Sequence, residues 1–534
     1  VKPHPSADST RQAILVEALS NPACYPHPAD PVVKLETHIS HIFLAGDYAY
    51  KIKKALNLGF LDFTSLRQRK TYCTEEVRLN RRLAPRLYLD CIPISGSAEN
   101  PILEGEPATA IEYAVKMRRF PQEALLDRCL TQGILESRHM DALAGQLAEF
   151  HGSIAHADAA TPFGTPDSVQ QPVLENFIQC RALLTDPVDL RKLTELERWS
   201  VATHERLVPL LTTRKAGGCI RECHGDLHLG NMLLQEDRIV IFDCIEFNDA
   251  FRWIDTMSDL GFLLMDLHHR GATGMAWRLL NGYLECTGDY TGLAVLPYYQ
   301  VYRAMVRAKI AAIRLNQTGL DAQQHAAIQQ ECRAYLELAL RFTQGPSPFL
   351  LITHGVSGSG KSYLSARLLE VLGAIRIRSD VERKRLFGLP PLATSDSTLN
   401  RGIYTAAASA RTYERLQFLA GLIIDAGYPV LVDATFLEPQ WRHAFRTFAE
   451  KRAVPFVLLA CNASPETLRV RVAERRARGD DAAEADVAVL ERQLRNYGPL
   501  DSEEAALNSG NGNIGVLHNA ILERVRGWRP RSAG

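Results

Sequence analysis

The chain has 534 residues, more than one domain's worth at ~100–200 residues per domain. With 46% hydrophobic and 23% charged residues it has a globular composition, which excludes a disordered or fibrous chain. Lys+Arg and Asp+Glu are 61 each, so the whole chain is no polycation built for nucleic acid. The 11 cysteines are odd in number and lack a repeated spacing, which predicts reduced thiols and a cytoplasmic setting. The N-terminal stretch has no basic region leading into an apolar core, so no signal peptide is expected. The most apolar window, 416–436, is broken by Asp, Gly and Pro, so no membrane span is expected either.

Residues 31–56 and 86–115 read as strand-rich, with a helix predicted over 69–84 between them. HIFLAGDYAYKIKK holds two short strands around the Gly46-Asp47 turn, and Lys51 and Lys53, two apart, share one face of the second. From about 121 onward helical patterns dominate, interrupted by the strand-like IVIFD at 239–243. A small sheet-rich lobe followed by a larger helical lobe is a two-lobed layout.

Within the helical part, residues 224–231 read HGDLHLGN, and twelve residues after Asn231 comes Asp243 in IFDCIEF. A base Asp, an Asn five residues on and a second Asp after a short strand is the order of a kinase-like catalytic loop. In that chemistry Asp226 accepts or orients the acceptor hydroxyl, while Asn231 and Asp243 hold Mg²⁺. His224 would brace the loop. Cys219, Cys223, His224 and His228 crowd ten residues, but C-x₃-C without a second Cys/His pair does not make a zinc site. His268-His269 reads as a solvated helix surface.

GPSP at 345–348 separates a helical stretch from the strand-like FLLITHG, and the chain is divided there. Beyond it, strands are predicted at 349–354, 374–379, 429–433, 455–460 and 513–518, with helices in the gaps. Strand and helix in alternation predict a parallel sheet covered on both faces. Residues 355–362, GVSGSGKS, lie between an apolar strand and a helix, the context a phosphate-binding loop requires. Gly355, Gly358 and Gly360 let the backbone curl so that its N–H groups face phosphate oxygens. Lys361 reaches the β/γ-phosphates and Ser362 ligates Mg²⁺. Asp433, ending an apolar strand, is placed to hold the metal through water. Asp380 and Arg383 follow another strand, three apart on a first helical turn. They read as acceptor base and phosphate or acceptor clamp, or else as a helix cap with a solvated basic face. The Arg-dense 469–481, containing Arg475 and the Gly479-Asp-Asp turn, is either a solvated helix or a lid closing on the phosphoryl group.

HGDLHLGN followed by IFDCIEF resembles the aminoglycoside phosphotransferase family, whose fold is that of protein kinases, over roughly 31–343. The resemblance implies that Lys51 or Lys53 holds the α/β-phosphates, with Glu76 (or Glu75) as ion-pair partner. It further implies that Ser40, in THIS at 37–40, belongs to the nucleotide-covering loop, and that Asp259 of SDL is a brace. No G-x-G-x-x-G precedes the lysine strand, a departure from protein kinases. Residues 349–530 resemble the small P-loop kinases that phosphorylate hydroxyls. The fusion resembles bifunctional aminoglycoside phosphotransferase/ATP-binding proteins.

The implied fold class is an α+β, two-lobed protein-kinase-like domain over 1–343, followed by an α/β P-loop kinase domain with a parallel sheet over 346–534. The implied activity is ATP- and Mg²⁺-dependent phosphoryl transfer at two sites to hydroxyl acceptors, small molecules rather than membranes or nucleic acid. A nucleic-acid end kinase in the second half is one alternative, although 25 Lys/Arg against 20 Asp/Glu over 346–534 is too small a surplus to argue for it. A first half that binds ATP only to regulate the second is the other.

Overall fold

The computed structural model describes residues 7–529 apart from 58, 60, 317–318, 392, 394–401, 479–481, 496, 498–499, 502–503, 505 and 511. It divides into two compact units. One comprises residues 1–139, 150–172 and 207–266; the other comprises 140–149, 173–206 and 267–534. The helices over 267–344 therefore fall in the same unit as the C-terminal sheet.

The first unit carries a six-stranded antiparallel sheet. Its strands are β1 (Val32–Glu36), β2 (Ser40–Ala45), β3 (Tyr48–Lys53), β4 (Tyr88–Gly96), β5 (Pro101–Leu103) and β6 (Glu112–Arg118), in the order β1-β2-β3-β6-β4-β5. The helix Leu66–Asn80 starts at a capping box: Ser65 and Gln68 satisfy each other's backbone N–H groups. Its Cys73 and Val77 pack against Tyr113 and Val115 of β6, which fixes the helix on one face of the sheet. Beyond the helices lie the short strands β7 (Ile220–Glu222), β8 (Met232–Gln235), β9 (Arg238–Ile241) and β10 (Trp253–Asp255). Of these the sequence shows β9 as the strand-like IVIFD, while the others are too brief for periodicity to reveal. β7 pairs with β10 and β8 with β9, both antiparallel, and these ribbons present the HGD loop and Asp243.

In the second unit, β11 (Leu350–His354), β12 (Ile375–Arg378), β13 (Val430–Asp433), β14 (Phe456–Ala460) and β15 (Leu507–Asn508) form a parallel sheet in the order β12-β13-β11-β14-β15. The first four match the expected strands to within a residue at each end. The fifth does not. Residues 513–518 open a helix, Ile514–Gly527, capped by Asn513, and the edge strand is Leu507–Asn508 instead. Leu517 and Ile521, with Ile514 and Val525, present one helical face to Leu351, Leu364 and Leu368. A six-residue window does not distinguish that face from a strand. No helix among the described residues is long and apolar enough to cross a membrane.

The His268-His269 pair also departs from expectation. It is partly buried: His269 stacks on Tyr335 at 3.8 Å between ring centres, and His268 meets Trp277 and Phe342 edge-on. Burial, aided by Arg341, pushes the His268 imidazole down to about 4. A folded-state pKa below the unfolded value of ~6.5 means that the unfolded chain binds the extra proton between the two values, so stability rises with pH across that window. Acidifying from neutral pH to about 4 should therefore remove on the order of 1–3 kcal/mol through this group. In urea unfolding at several pH values, His268→Gln should lose correspondingly less on acidification. Equal losses in the two proteins would rule out the assignment.

Candidate active sites

The HGD loop is held mainly from beneath. Cys223 N–H donates to the Arg252 carbonyl (2.8 Å). Asp259 accepts from the N–H groups of His224 (3.0 Å) and Gly225 (2.9 Å), and its carboxylate lies 3.2 Å from His151 Nε2. Gly225 has φ +88°, and a Cβ there would sit 2.7 Å from the Phe251 carbonyl oxygen, so a side chain is excluded. His224 Nε2 meets the Phe242 carbonyl (2.8 Å), tying the loop to the strand that leads to Asp243. His151, Cys223 and Asp259 bring one potential metal-ligand atom each within 4.8 Å of one another. The Asp259 oxygens are already engaged by the loop, and Cys223 Sγ lies 3.5 Å from the Ile254 carbonyl, which makes the group a brace.

Two polar residues of the motif meet directly, and the strand end that leads to the third is tied to them by Phe242 N–H donating to the Asn231 carbonyl (2.9 Å). Asn231 Nδ2 donates to Asp226 Oδ2 (2.9 Å) and to the Asp226 carbonyl (3.0 Å), and His228 Nε2 lies 3.3 Å from the same carboxylate. Asp243 follows β9 with φ +66°, a left-handed conformation that costs a non-glycine residue energy and is held here by the surrounding structure. Its N–H donates to the Tyr88 hydroxyl (3.2 Å).

The lysine pair separates into two roles. Lys51 Nζ lies 2.6 Å from Asp243 Oδ1 and 2.9 Å from Glu76 Oε1, beside a carboxylate that is 39% exposed. Lys53 is fully buried, bonded to Glu76 Oε2 (2.7 Å) and to Glu246. Glu75 instead pairs with Arg78. Burial pushes the Glu76 carboxyl up, but the two lysines outweigh it and bring it down to about 2. Glu246, three residues past Asp243, escaped the sequence reading; its signal was a lone acid inside the apolar run CIEF. Ser40 lies opposite Lys53 across β2 and β3, with a buried hydroxyl oxygen that has no hydrogen-bond partner. An ammonium beside an acid, an amide at the loop and an unsatisfied hydroxyl are the donors and acceptors that a cation-bound nucleotide phosphate requires.

In the second unit the phosphate loop joins the central strand β11 to the helix Lys361–Leu372. Gly355, Gly358 and Gly360 all have positive φ. At Gly355 a Cβ would stand 2.4 Å from the Cys461 carbonyl oxygen, so the loop closes only around glycine. The Ser359 hydroxyl is buried and unpartnered. Lys361 Nζ donates to the Val356 carbonyl (2.9 Å). Burial pushes its pKa down, Asp433 and Asp380 oppose that, and Arg475 adds to it, so these charges all act on Lys361. The glycine cradle, the unsatisfied Ser359 hydroxyl and this charge set fit a nucleotide phosphate with its cation.

Asp433, at the end of β13, accepts from Ser365 Oγ (3.1 Å), while Ser362 is half-buried one turn earlier. Asp380 is the second residue of the helix Ser379–Leu386, which directly follows β12. Arg383 is buried on that helix, donating to the Ile403 carbonyl (3.0 Å) and Ser409 Oγ (3.3 Å), with its guanidinium over Tyr404. Arg475 lies on the helix Pro465–Arg478 and donates to the Ala485 carbonyl (2.9 Å). The turn at 479–481 falls outside the described residues.

Residues 61–296 match the family described as "Phosphotransferase enzyme family", and residues 350–500 match the family described as "AAA domain". The chain is 30% identical over 477 residues to "Uncharacterized protein Rv2004c" of Mycobacterium tuberculosis, covering 88% of this chain and 92% of that one. The same figures hold for "Uncharacterized protein Mb2027c" of Mycobacterium bovis. Among solved structures, a choline/ethanolamine kinase family protein from Mesorhizobium loti matches 62% of this chain and 99% of its own, at 15% identity and TM-score 0.37. Amicoumacin kinase hAmiN in complex with AMP-PNP matches 62% of this chain and 94% of its own, at 13% identity and TM-score 0.40. Kti12 of Chaetomium thermophilum in complex with ADP-AlF3 matches 33% of this chain and all of its own, at 15% identity and TM-score 0.26.

The two lysines should respond differently to removal. Lys51→Ala should reduce nucleotide stoichiometry in calorimetric titration by one site and cost less stability than removal of Lys53, because Glu76 keeps Lys53 and the Asp243 carboxylate reaches solvent. Lys53→Met should leave Glu246 buried without its cation and cost about 3–5 kcal/mol in urea unfolding. The reverse pattern would exchange the two roles.

Proposed function

Because the chain belongs to the family that joins a phosphotransferase domain to a P-loop kinase-like domain, we propose that it is an ATP-dependent phosphotransferase with two nucleotide sites. Each site passes the γ-phosphoryl group to a hydroxyl of a small molecule. The functional division is 1–343 and 346–534. The observation that carries this reading is the pairing of Asn231 with Asp226 and of Lys51 with Asp243, the two pairs linked through Phe242 N–H on the Asn231 carbonyl, in a chain that also holds a complete phosphate loop.

Mg²⁺-bound ATP, when present, supplies the phosphoryl group and the cation that offsets its charge. The transition state of such a transfer is loose, so the protein's task is to position groups and stabilise charge. Asn231 fixes the Asp226 carboxylate, which orients the acceptor hydroxyl and takes its proton. Lys51, held by Glu76, is directed at phosphate oxygens. In the second half Lys361 and the loop N–H groups bind phosphate, Ser362 and Asp433 face the metal, and Asp380 orients the acceptor. Arg383, tied to Ile403 and Ser409, steadies the acceptor side.

The test is a screen with γ-labelled ATP on the full-length chain, using metabolite extracts and a 5′-hydroxyl oligonucleotide as separate arms. Asp226→Asn should lower transfer by the first site ~10²–10⁴-fold with nucleotide binding retained, whereas Asp243→Asn should weaken Mg·ATP binding. Lys361→Ala should abolish binding and transfer at the second site, and Asp380→Ala should abolish only transfer. If Asp226→Asn leaves every transfer intact while Lys361→Ala removes all of it, the first site is regulatory. Labelling of the oligonucleotide alone would make the second half an end kinase.

A further inference from the structure

The helix Thr273–Thr287 precedes the Pro-rich joint and lies within the segment that matches the phosphotransferase family, yet one face of it meets the P-loop sheet. Asn281 and Glu285, four apart, share that face. Asn281 Nδ2 donates to the Ala374 carbonyl (3.0 Å), and its Oδ1 accepts from Arg376 N–H (2.6 Å), so one side chain pairs with the outer edge of β12 as a neighbouring strand would. One turn on, the Glu285 carboxylate takes Arg376 Nη2 on one oxygen (3.1 Å) and Arg378 Nη1 on the other (3.0 Å).

Both arginines lead inward to the candidate metal acid. Arg376 Nη1 donates to Ser365 Oγ (3.4 Å), whose hydroxyl donates to Asp433 Oδ2 (3.1 Å). Arg378 Nε stands 3.9 Å from that same Asp433 oxygen. The four charged side chains are less than a fifth exposed, so their interactions are weakly screened. Burial alone would raise the Glu285 carboxyl, but Arg378 and Arg376 hold it below the usual range. Nearby, the Tyr290 hydroxyl meets Glu382 (3.4 Å) on the helix that carries Asp380, and Arg385 of that helix bonds both Glu382 and the Glu285 carbonyl. The same corner thus grips both the metal side and the acceptor side of the P-loop site.

We propose that Glu285 is a positioning residue of the P-loop site: by holding Arg376 and Arg378, it keeps the Asp433 carboxylate available to the nucleotide's divalent cation. A residue outside the P-loop half thereby sets that half's metal affinity. The argument is one of charge competition. Arg378 lies between two carboxylates, and Glu285 holds it at direct hydrogen-bond distance while Asp433 does not. Without the Glu285 charge, Arg378 closes on Asp433 and competes with the cation for it. The inference rests on reading Asp433 and the phosphate loop as a Mg·nucleotide site.

The experiment uses the full-length chain carrying Lys51→Ala, which silences the first site, and a fluorescent ATP analogue whose binding is titrated against Mg²⁺. Glu285→Gln should raise the half-saturating Mg²⁺ concentration ~10-fold or more, the usual cost of losing a residue that supports a metal ligand. Binding at saturating Mg²⁺ should stay near its starting value. Glu285→Asp should keep most of the metal affinity. Arg378→Gln in the Glu285→Gln chain should restore it, because the competitor is gone, and Arg378→Gln alone should need no more Mg²⁺ than its parent. The single arginine variant decides the matter even if Glu285→Gln fails to fold: a higher Mg²⁺ requirement there overturns the proposal. So does a loss of nucleotide affinity in Glu285→Gln that is equal at all Mg²⁺ concentrations and not rescued by Arg378→Gln. Lys361→Ala separates the two levels. If it leaves the fluorescence titration unchanged, the P-loop reading fails and the proposal with it. If it abolishes binding while Glu285→Gln leaves the Mg²⁺ dependence alone, only the role of Glu285 fails.

Discussion

Two lysines and three carboxylates share one largely buried volume in the first unit, and their mutual neutralisation is the constraint on which the rest of that site depends. Either lysine alone would be costly to bury, and so would any of the acids. Together Lys51, Lys53, Glu76, Asp243 and Glu246 join β3, the helix Leu66–Asn80 and the segment after β9 through ion pairs of 2.6–2.9 Å and the Lys53–Glu246 contact. Lys53 and Glu246 saturate the inner part of the cluster, which leaves Lys51 and Asp243 at its outer edge. The strained backbone at Asp243 is consistent with this arrangement, since the residue must turn its carboxylate back toward Lys51 within one step of leaving the strand.

The second unit gathers its charges through the order of its strands. A parallel sheet places the C-terminal ends of its strands along one edge, where ligands gather in open α/β folds. β11 delivers the phosphate loop, β13 delivers Asp433 and β12 delivers the helix bearing Asp380. These three strands are neighbours, so Asp380 and Asp433, from different strand ends, come to act on one lysine. β12 is the outermost of them, and an exposed strand edge in a sheet is ordinarily a liability. Here Asn281 occupies it, and the helix that carries Asn281 also carries Glu285.

That placement bears on how the chain is organised. A Pro-rich joint at 345–348 separates two runs of sequence with different periodicity. Packing follows another division, in which residues 267–344 belong with the P-loop sheet. Sequence periodicity records the local secondary structure of a segment. It does not record which surface that segment buries, because an amphipathic helix presents the same pattern whatever partner it covers.

Local motifs were legible in the sequence because their chemistry constrains neighbouring residues. HGDLHLGN and GVSGSGKS announced their loops, since a turn that admits only glycine and a lysine that must reach phosphate have to be encoded within eight positions. Three of the first four strands of the parallel sheet, β11, β13 and β14, were visible as short apolar runs, and β12 as an alternation of Ile with Arg. The helix at Ile514–Gly527 was not, because Ile514, Val516 and Leu517 within six residues fit a strand as well as they fit the start of a helix. Burial of His268 among Trp277 and Phe342 could not be read from an exposed-looking HHR run. The choice of Lys51 over Lys53 as the residue beside Asp243 also belonged to the tertiary structure. Both point to one face of β3, and Glu246, arriving from nearly two hundred residues downstream, pairs with Lys53 and leaves Lys51 beside Asp243. The sequence alone determined which residue types each loop holds. Which of two equivalent lysines lies beside Asp243 was decided by long-range ion pairing, an energy that depends on distance in space and is indifferent to separation along the chain.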